Sequence, residues 1–155
     1  MALIKKSDIL SLAKSILSYN FEADKKLEET LVRTEVCVFN DGAQAHELLE
    51  KAQKFLTVQS PTDLQLSFYS LAGVIENQLY NFKASDKHFK KAIKYAKTAN
   101  GETLSELYID YAGTLINEAE ISAATQIISK TQPLLEKSGN EKLLARLQCR
   151  EAYLY

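Results

Sequence analysis

One recurrence constrains this chain more than any other feature. Ala72-Gly73 returns as Ala112-Gly113, Ala84 as Ala124, and Ala52 as Ala92, each forty positions on. Leu49 and Phe89 stand three positions before Ala52 and Ala92. Self-similarity at this period is the mark of stacked helical pairs, because one such pair cannot bury both apolar faces alone and gains most of its stability from neighbours. Small residues at a fixed place in each unit let a partner helix lie against the backbone.

The stretch from Asp63 to Lys97 shows the unit best. It reads as two helices, Leu64–Leu79 and Lys83–Lys97, around the short turn Tyr80-Asn81-Phe82. Ser60-Pro61-Thr62-Asp63 is a helix start, with Ser60 able to cap, Pro61 suited to the first helical position and Asp63 able to reach back. Asn100-Gly101 closes the unit, with Gly101 able to take the left-handed conformation. Before it, apolar spacing predicts helices over Ser7–Tyr19, Glu22–Phe39 and Ala43–Val58, with breaks at Asn20-Phe21 and Asn40-Asp41-Gly42. After it come Glu102–Glu118, Ile121–Lys137 and Glu141–Tyr155, with Ser122 a candidate cap and Pro133 expected to kink or shorten its helix. No strand alternation is present. The expected fold is therefore all-α, about eight helices forming one α-solenoid domain over 1–155. It has a flanking helix at 5–19, repeats at about 22–58, 62–99 and 102–137, and a last helix at 141–155.

Composition narrows the function. The net charge is −1 and charged residues are 25% of the chain, so no general field draws it to nucleic acid or membrane. No apolar run reaches the roughly 20 residues of a membrane helix, and the start carries no secretory pattern. Cys37 and Cys149 do not make a disulfide framework and are expected to be buried as small hydrophobes. These features suggest a reduced, cytoplasmic setting.

Reactive constellations are scarce. His46-Glu47 resembles the start of a zinc-protease motif but has no second histidine four residues on, and zinc needs three protein donors. His46 reads as an exposed helix residue and His88 as a surface or packing residue. The glycines stand apart, so no phosphate-binding loop exists. Lys83, Lys87, Lys90, Lys91, Lys94 and Lys97 form a basic stripe without interleaved aromatic residues, which reads as a solvated face. No enzyme activity, cofactor or metal is expected.

Tyr69, Ala72-Gly73, Ser85, Phe89 and Ala92 resemble the spaced aromatic, small and alanine positions of the tetratricopeptide repeat, and Ala112-Gly113 and Ala124 repeat part of it. The similarity covers about Glu22 to Tyr155, at a repeat near forty residues instead of the common 34. Val32-Arg33 stands where the first unit would have its Ala-Gly pair. The resemblance implies a right-handed superhelix of hairpins with a concave groove. Counted from the Ala-Gly pairs, Ser67, Ser70, Val74, Asn77 and Gln78 line that groove in one unit, and Leu107, Asp110, Thr114, Asn117 and Glu118 in the next. Asn77 and Asn117 stand forty apart. An asparagine amide offers a donor and an acceptor, and in long-repeat relatives such residues hold an extended peptide. The basic clamp of chaperone-tail binders is absent, since Thr30, Thr34, Leu71, Leu107 and Tyr111 occupy those positions.

The expected function is a non-catalytic scaffold that holds a peptide or protein segment, not nucleic acid or membrane. A sensory or regulatory input module of a signalling protein, such as a transcription regulator or kinase, is the alternative, and a structural subunit of an assembly is the third. Leu143, Leu144, Leu147, Ala152, Tyr153 and Leu154 form an apolar stripe with no successor helix. That stripe suggests either a piece of a longer repeat protein or a homodimer through the last helix.

Overall fold

The computed structural model describes residues 5–155, and these are all-α, with seven α-helices and no strand among them. They are α1 (Lys6–Cys37), α2 (Gly42–Gln53), α3 (Thr62–Gln78), α4 (Phe82–Tyr95), α5 (Gly101–Asn117), α6 (Ile121–Ser138) and α7 (Glu141–Ala152). A single 3-10 turn, Ala96–Thr98, extends α4. The most extensive packing joins α1 to α2, α3 to α4 and α5 to α6. Each odd-numbered helix also touches the next odd-numbered one. The core accordingly forms three successive clusters along the chain, not one centre.

The count is seven, not eight, because Asn20-Phe21 does not break the first helix. Neither residue is a strong breaker, since neither lacks a backbone donor and neither is glycine. The helix runs on through both, and the residues from Lys5 to Glu22 are exposed along its first half. Ile9, Leu12, Ile16, Leu17 and Phe21 remain in solvent. The second half packs through Leu27, Leu31, Thr34 and Cys37. Val32 and Arg33 face outward, and Thr34 takes the buried place.

Three helix starts are capped by side chains. Asp41 accepts from Gln44 N–H, Asn100 from Thr103 N–H and Asn140 from Leu143 N–H. Gly101 is therefore the first helical residue of α5 and not a left-handed closure. Ser60 is no cap either. Its Oγ accepts from Thr57 N–H, while Gln65 Nε2 donates to the Ser60 carbonyl. Nor does Ser122 cap α6, which starts at Ile121 with no side-chain cap. The left-handed positions fall at Tyr80, Ala119 and Gly139. At Tyr80 and Ala119 the following N–H reaches back to a carbonyl five residues earlier, Asn81 to Glu76 and Glu120 to Leu115, which closes α3 and α5 in Schellman fashion.

Pro133 does not shorten α6, which continues to Ser138. The proline and Ser129, four residues earlier, are both exposed, so water can satisfy the carbonyl left without a donor. The last apolar stripe is not bare. Leu143 and Leu147 are buried with Ile109, Ala112, Ile128 and Leu135, while Ala152 and Tyr153 are exposed. Part of the α7 apolar stripe is thus covered from within, by α5 and α6, and its last turn is not. Cys37 is buried, but Cys149 is exposed on α7. His46 is half-buried; His88 is half-buried and stacks on Tyr69. None of the helices among the described residues is long and apolar enough to cross a membrane.

The forty-residue period shifts by one between the second and third pairs. In α4 the buried positions are Ser85, Phe89 and Ala92, with Ala96 just beyond. In α6 they are Ala124, Ile128, Thr131 and Leu135, each 39 residues on. Gly73 lies under Phe89, where an added Cβ would come within 2.7 Å of the ring. The residue 39 on from Gly73 is Ala112, which shares a cluster with Ile128, 39 on from Phe89.

Candidate functional site

The surface concavity that gathers half of the sequence candidates is a cleft of about 570 Å³ bounded by all four odd-numbered helices. The end of α1 contributes Glu35, with Val38 and Phe39 just after it. From α3 come Leu66, Ser67, Ser70, Leu71 and Val74, on a face that recurs every three to four residues. From α5 come Thr103, Glu106, Leu107 and Asp110, and from α7 Lys142, Arg146 and Arg150.

The candidates divide. Ser67, Ser70, Val74, Leu107 and Asp110 line this cleft together. Ser70 Oγ donates to the Leu66 carbonyl at 2.8 Å, so its proton is committed to its own helix. Thr114 does not line a groove. It is fully buried, and its hydroxyl lies 2.8 Å from Ser85 Oγ, which in turn donates to the Gly73 carbonyl at 2.7 Å. With Ser85's proton on that carbonyl, Thr114 is the donor of the pair. This chain of bonds pins α5 to α3 and α4.

Asn77, Gln78 and Asn117 lie at the ends of α3 and α5, outside the cleft. Asn117 Nδ2 donates to Asn77 Oδ1 at 3.0 Å, so the two amides engage each other across the helix ends. Asn117 and Glu118 border a separate shallow depression with Tyr80, Phe82 and Glu120. Gln78 is exposed. The asparagines recur at forty while the helix ends recur at 39, so they cannot take identical places in successive units.

Sequence reading missed the charged wall supplied by α7. Lys142, Arg146 and Arg150 recur every four residues, which puts them on one helical stripe. That spacing was readable, but which face α7 turns toward α5 was not. Arg146 spans two acids: Nη1 to Glu106 Oε1 at 2.9 Å and Nη2 to Asp110 Oδ1 at 2.7 Å. Burial pushes the Asp110 carboxyl up to about 6, against the opposing pull of Arg146. On the far side of α5, Tyr111 donates to Asp86 Oδ1 at 2.5 Å, and Asp86 also pairs with Lys90. Burial first, and then that bond, hold the phenol above its ordinary range. The six basic-stripe lysines are all exposed on and after α4, where Lys91 lies over the Tyr69 ring.

Chemically, the cleft offers an apolar floor and wall, a few hydroxyls, the carboxylates of Glu35, Glu106 and Asp110, and a row of cations on α7. No group of three or more His, Cys, Asp or Glu side chains placed to hold a metal occurs among the described residues. Comparison with known protein families, with curated proteins and with solved structures finds no match for this chain.

Proposed function

We propose that this chain is a non-catalytic, tetratricopeptide-like helical-repeat module that holds an extended peptide or protein segment in the cleft framed by α1, α3, α5 and α7. The observation that carries the reading is the row of odd-numbered helices, each touching the next, with the cleft running across all four. Three core clusters in series support the stacked, solenoid-like part of the reading. The lining supports the ligand class. It mixes Leu66, Leu71, Val74 and Leu107 with fixed charges, as surfaces that take peptide side chains do. Its ionisable groups are carboxylates, a lysine and arginines, without a histidine or cysteine to serve as base or nucleophile.

The test is selection of displayed random 12-residue peptides on the whole chain and on a Ser70→Arg variant that obstructs the cleft. Enrichment on the native chain and its loss on the folded variant is the expected result. Equal enrichment on both would move the binding elsewhere, and no enrichment on either would remove the reading.

A further inference from the structure

The two long walls of the cleft differ in chemistry. The α3 wall, with Phe39 beside it, is apolar and carries Leu71 and Val74. The α7 wall is basic. Of its three cations, Arg146 is committed to Glu106 and Asp110. Arg150 and Lys142 make no ion pair among the described residues.

Arg150 nevertheless has a place made for it at the cleft. Gly113 has no Cβ, and one added there would come 2.9 Å from the Arg150 guanidinium carbon. The glycine thus lets the guanidinium lie against the α5 backbone at the cleft edge, half-buried. A guanidinium stays charged at any ordinary pH, and its planar donors suit a carboxylate. Holding it partly out of water without an acceptor is unfavourable, and an anion entering the cleft relieves that cost. The acids already present set where such an anion goes. Glu106 and Asp110 share the single charge of Arg146, and Arg150 acts on Asp110 through space without a direct ion pair, while Glu35 lies at the α1 end and repels an acid there.

We infer, resting on the peptide-holding reading above, that the cleft selects extended segments in which acidic and bulky apolar side chains alternate. The acid pairs with Arg150, with Lys142 beside it, and the apolar residue packs on Leu71, Val74 and Phe39. Alternation follows from geometry: in an extended chain, successive side chains point to opposite sides, and here the opposite sides are a basic wall and an apolar one.

The test is fluorescence anisotropy with three labelled peptides flanked by Gly-Ser. One alternates Asp and Leu, one has the same composition in separate Asp and Leu blocks, and one replaces Asp by Asn. The whole native chain should bind the alternating acidic peptide about tenfold tighter than either control, the scale of one charge-assisted bond. Arg150→Ala should erase that advantage with its melting curve unchanged, and Arg150→Lys should keep part of it. Should Arg150→Ala fail to fold, Arg150→Lys and the exposed Lys142→Ala carry the same comparison. Equal binding of the Asn peptide, or an undiminished advantage in the variants, overturns the inference and leaves the peptide-holding reading intact. If none of the three peptides binds and the random pool yields nothing, the underlying reading falls too.

Discussion

In α3, Ala72 faces back toward α1 and α2 while Gly73 faces forward onto Phe89 of α4. In α5 the same two residues have moved round the helix. Ala112 lies in the cluster that holds Ile128 of α6, and Gly113 faces Arg150 of α7. The backward-facing place belongs to Tyr111, whose ring centroid is 5.5 Å from that of Phe89. A one-residue slip of the period turns a side chain by about 100° around the axis, enough to hand it to a different neighbour. One glycine thus admits a buried aromatic ring inside a helical pair, and its sequence twin seats a cation at the edge of a cleft.

The sharpest way to break this comparison is to add one methyl at each glycine. Gly73→Ala puts a Cβ within 2.7 Å of a ring that is 0% exposed and has no room to retreat. It should cost about 1–3 kcal/mol in urea unfolding despite the roughly 1 kcal/mol that alanine gains in a helix. Combining it with Phe89→Leu should give less than the sum of the two losses. Additive losses would mean that the ring and the glycine do not meet.

Next in size is a pH effect peculiar to α5. Asp110 stands 39 residues on from Leu71, so one unit has a carboxylate where the other has an aliphatic chain. Folding raises this carboxyl to about 6, so the folded state holds the proton more tightly than the unfolded one. The associated stability is present below the unfolded value of roughly 3.9 and is lost as pH rises through about 6. Its side chain retains 21% exposure, so the loss between pH 4.5 and pH 7.5 should be about 1–2 kcal/mol, below the full linkage value. Asp110→Asn should be free of that change. A difference between native chain and variant that stays constant across this range would show that the group does not titrate there.

The smallest effect belongs to Gly113→Ala. The obstructing atoms are the far end of an arginine, which can swing away. Thermal stability should therefore hold or rise, by up to about 1 kcal/mol. A loss as large as that of Gly73→Ala would erase the distinction between the two glycines.

Much of the local architecture was legible. The boundaries of α3 and α5 fall within two residues of the apolar pattern, and the starts of α5 and α7 are marked by Asn100 and Asn140. The helix break at Asn20-Phe21 was misread because two weak helix formers look like a turn when no partner is considered. Thr114 was misassigned because counting from Gly113 carried the assumption of a forty-residue register. The left-handed turns at Tyr80 and Ala119 carry no glycine, so nothing in those residues announces them.

The sequence alone determines that this is a chain of amphipathic helices in pairs, because apolar spacing, caps and small residues act over a few neighbouring positions. Tertiary packing decided the rest. It set which face of each helix meets which neighbour, brought Lys142, Arg146 and Arg150 to the cleft, and turned Asn77 and Asn117 toward each other. The physical reason is that rotation of a helix about its axis is fixed by the side chains it must fit against, and those lie tens of residues away in the chain.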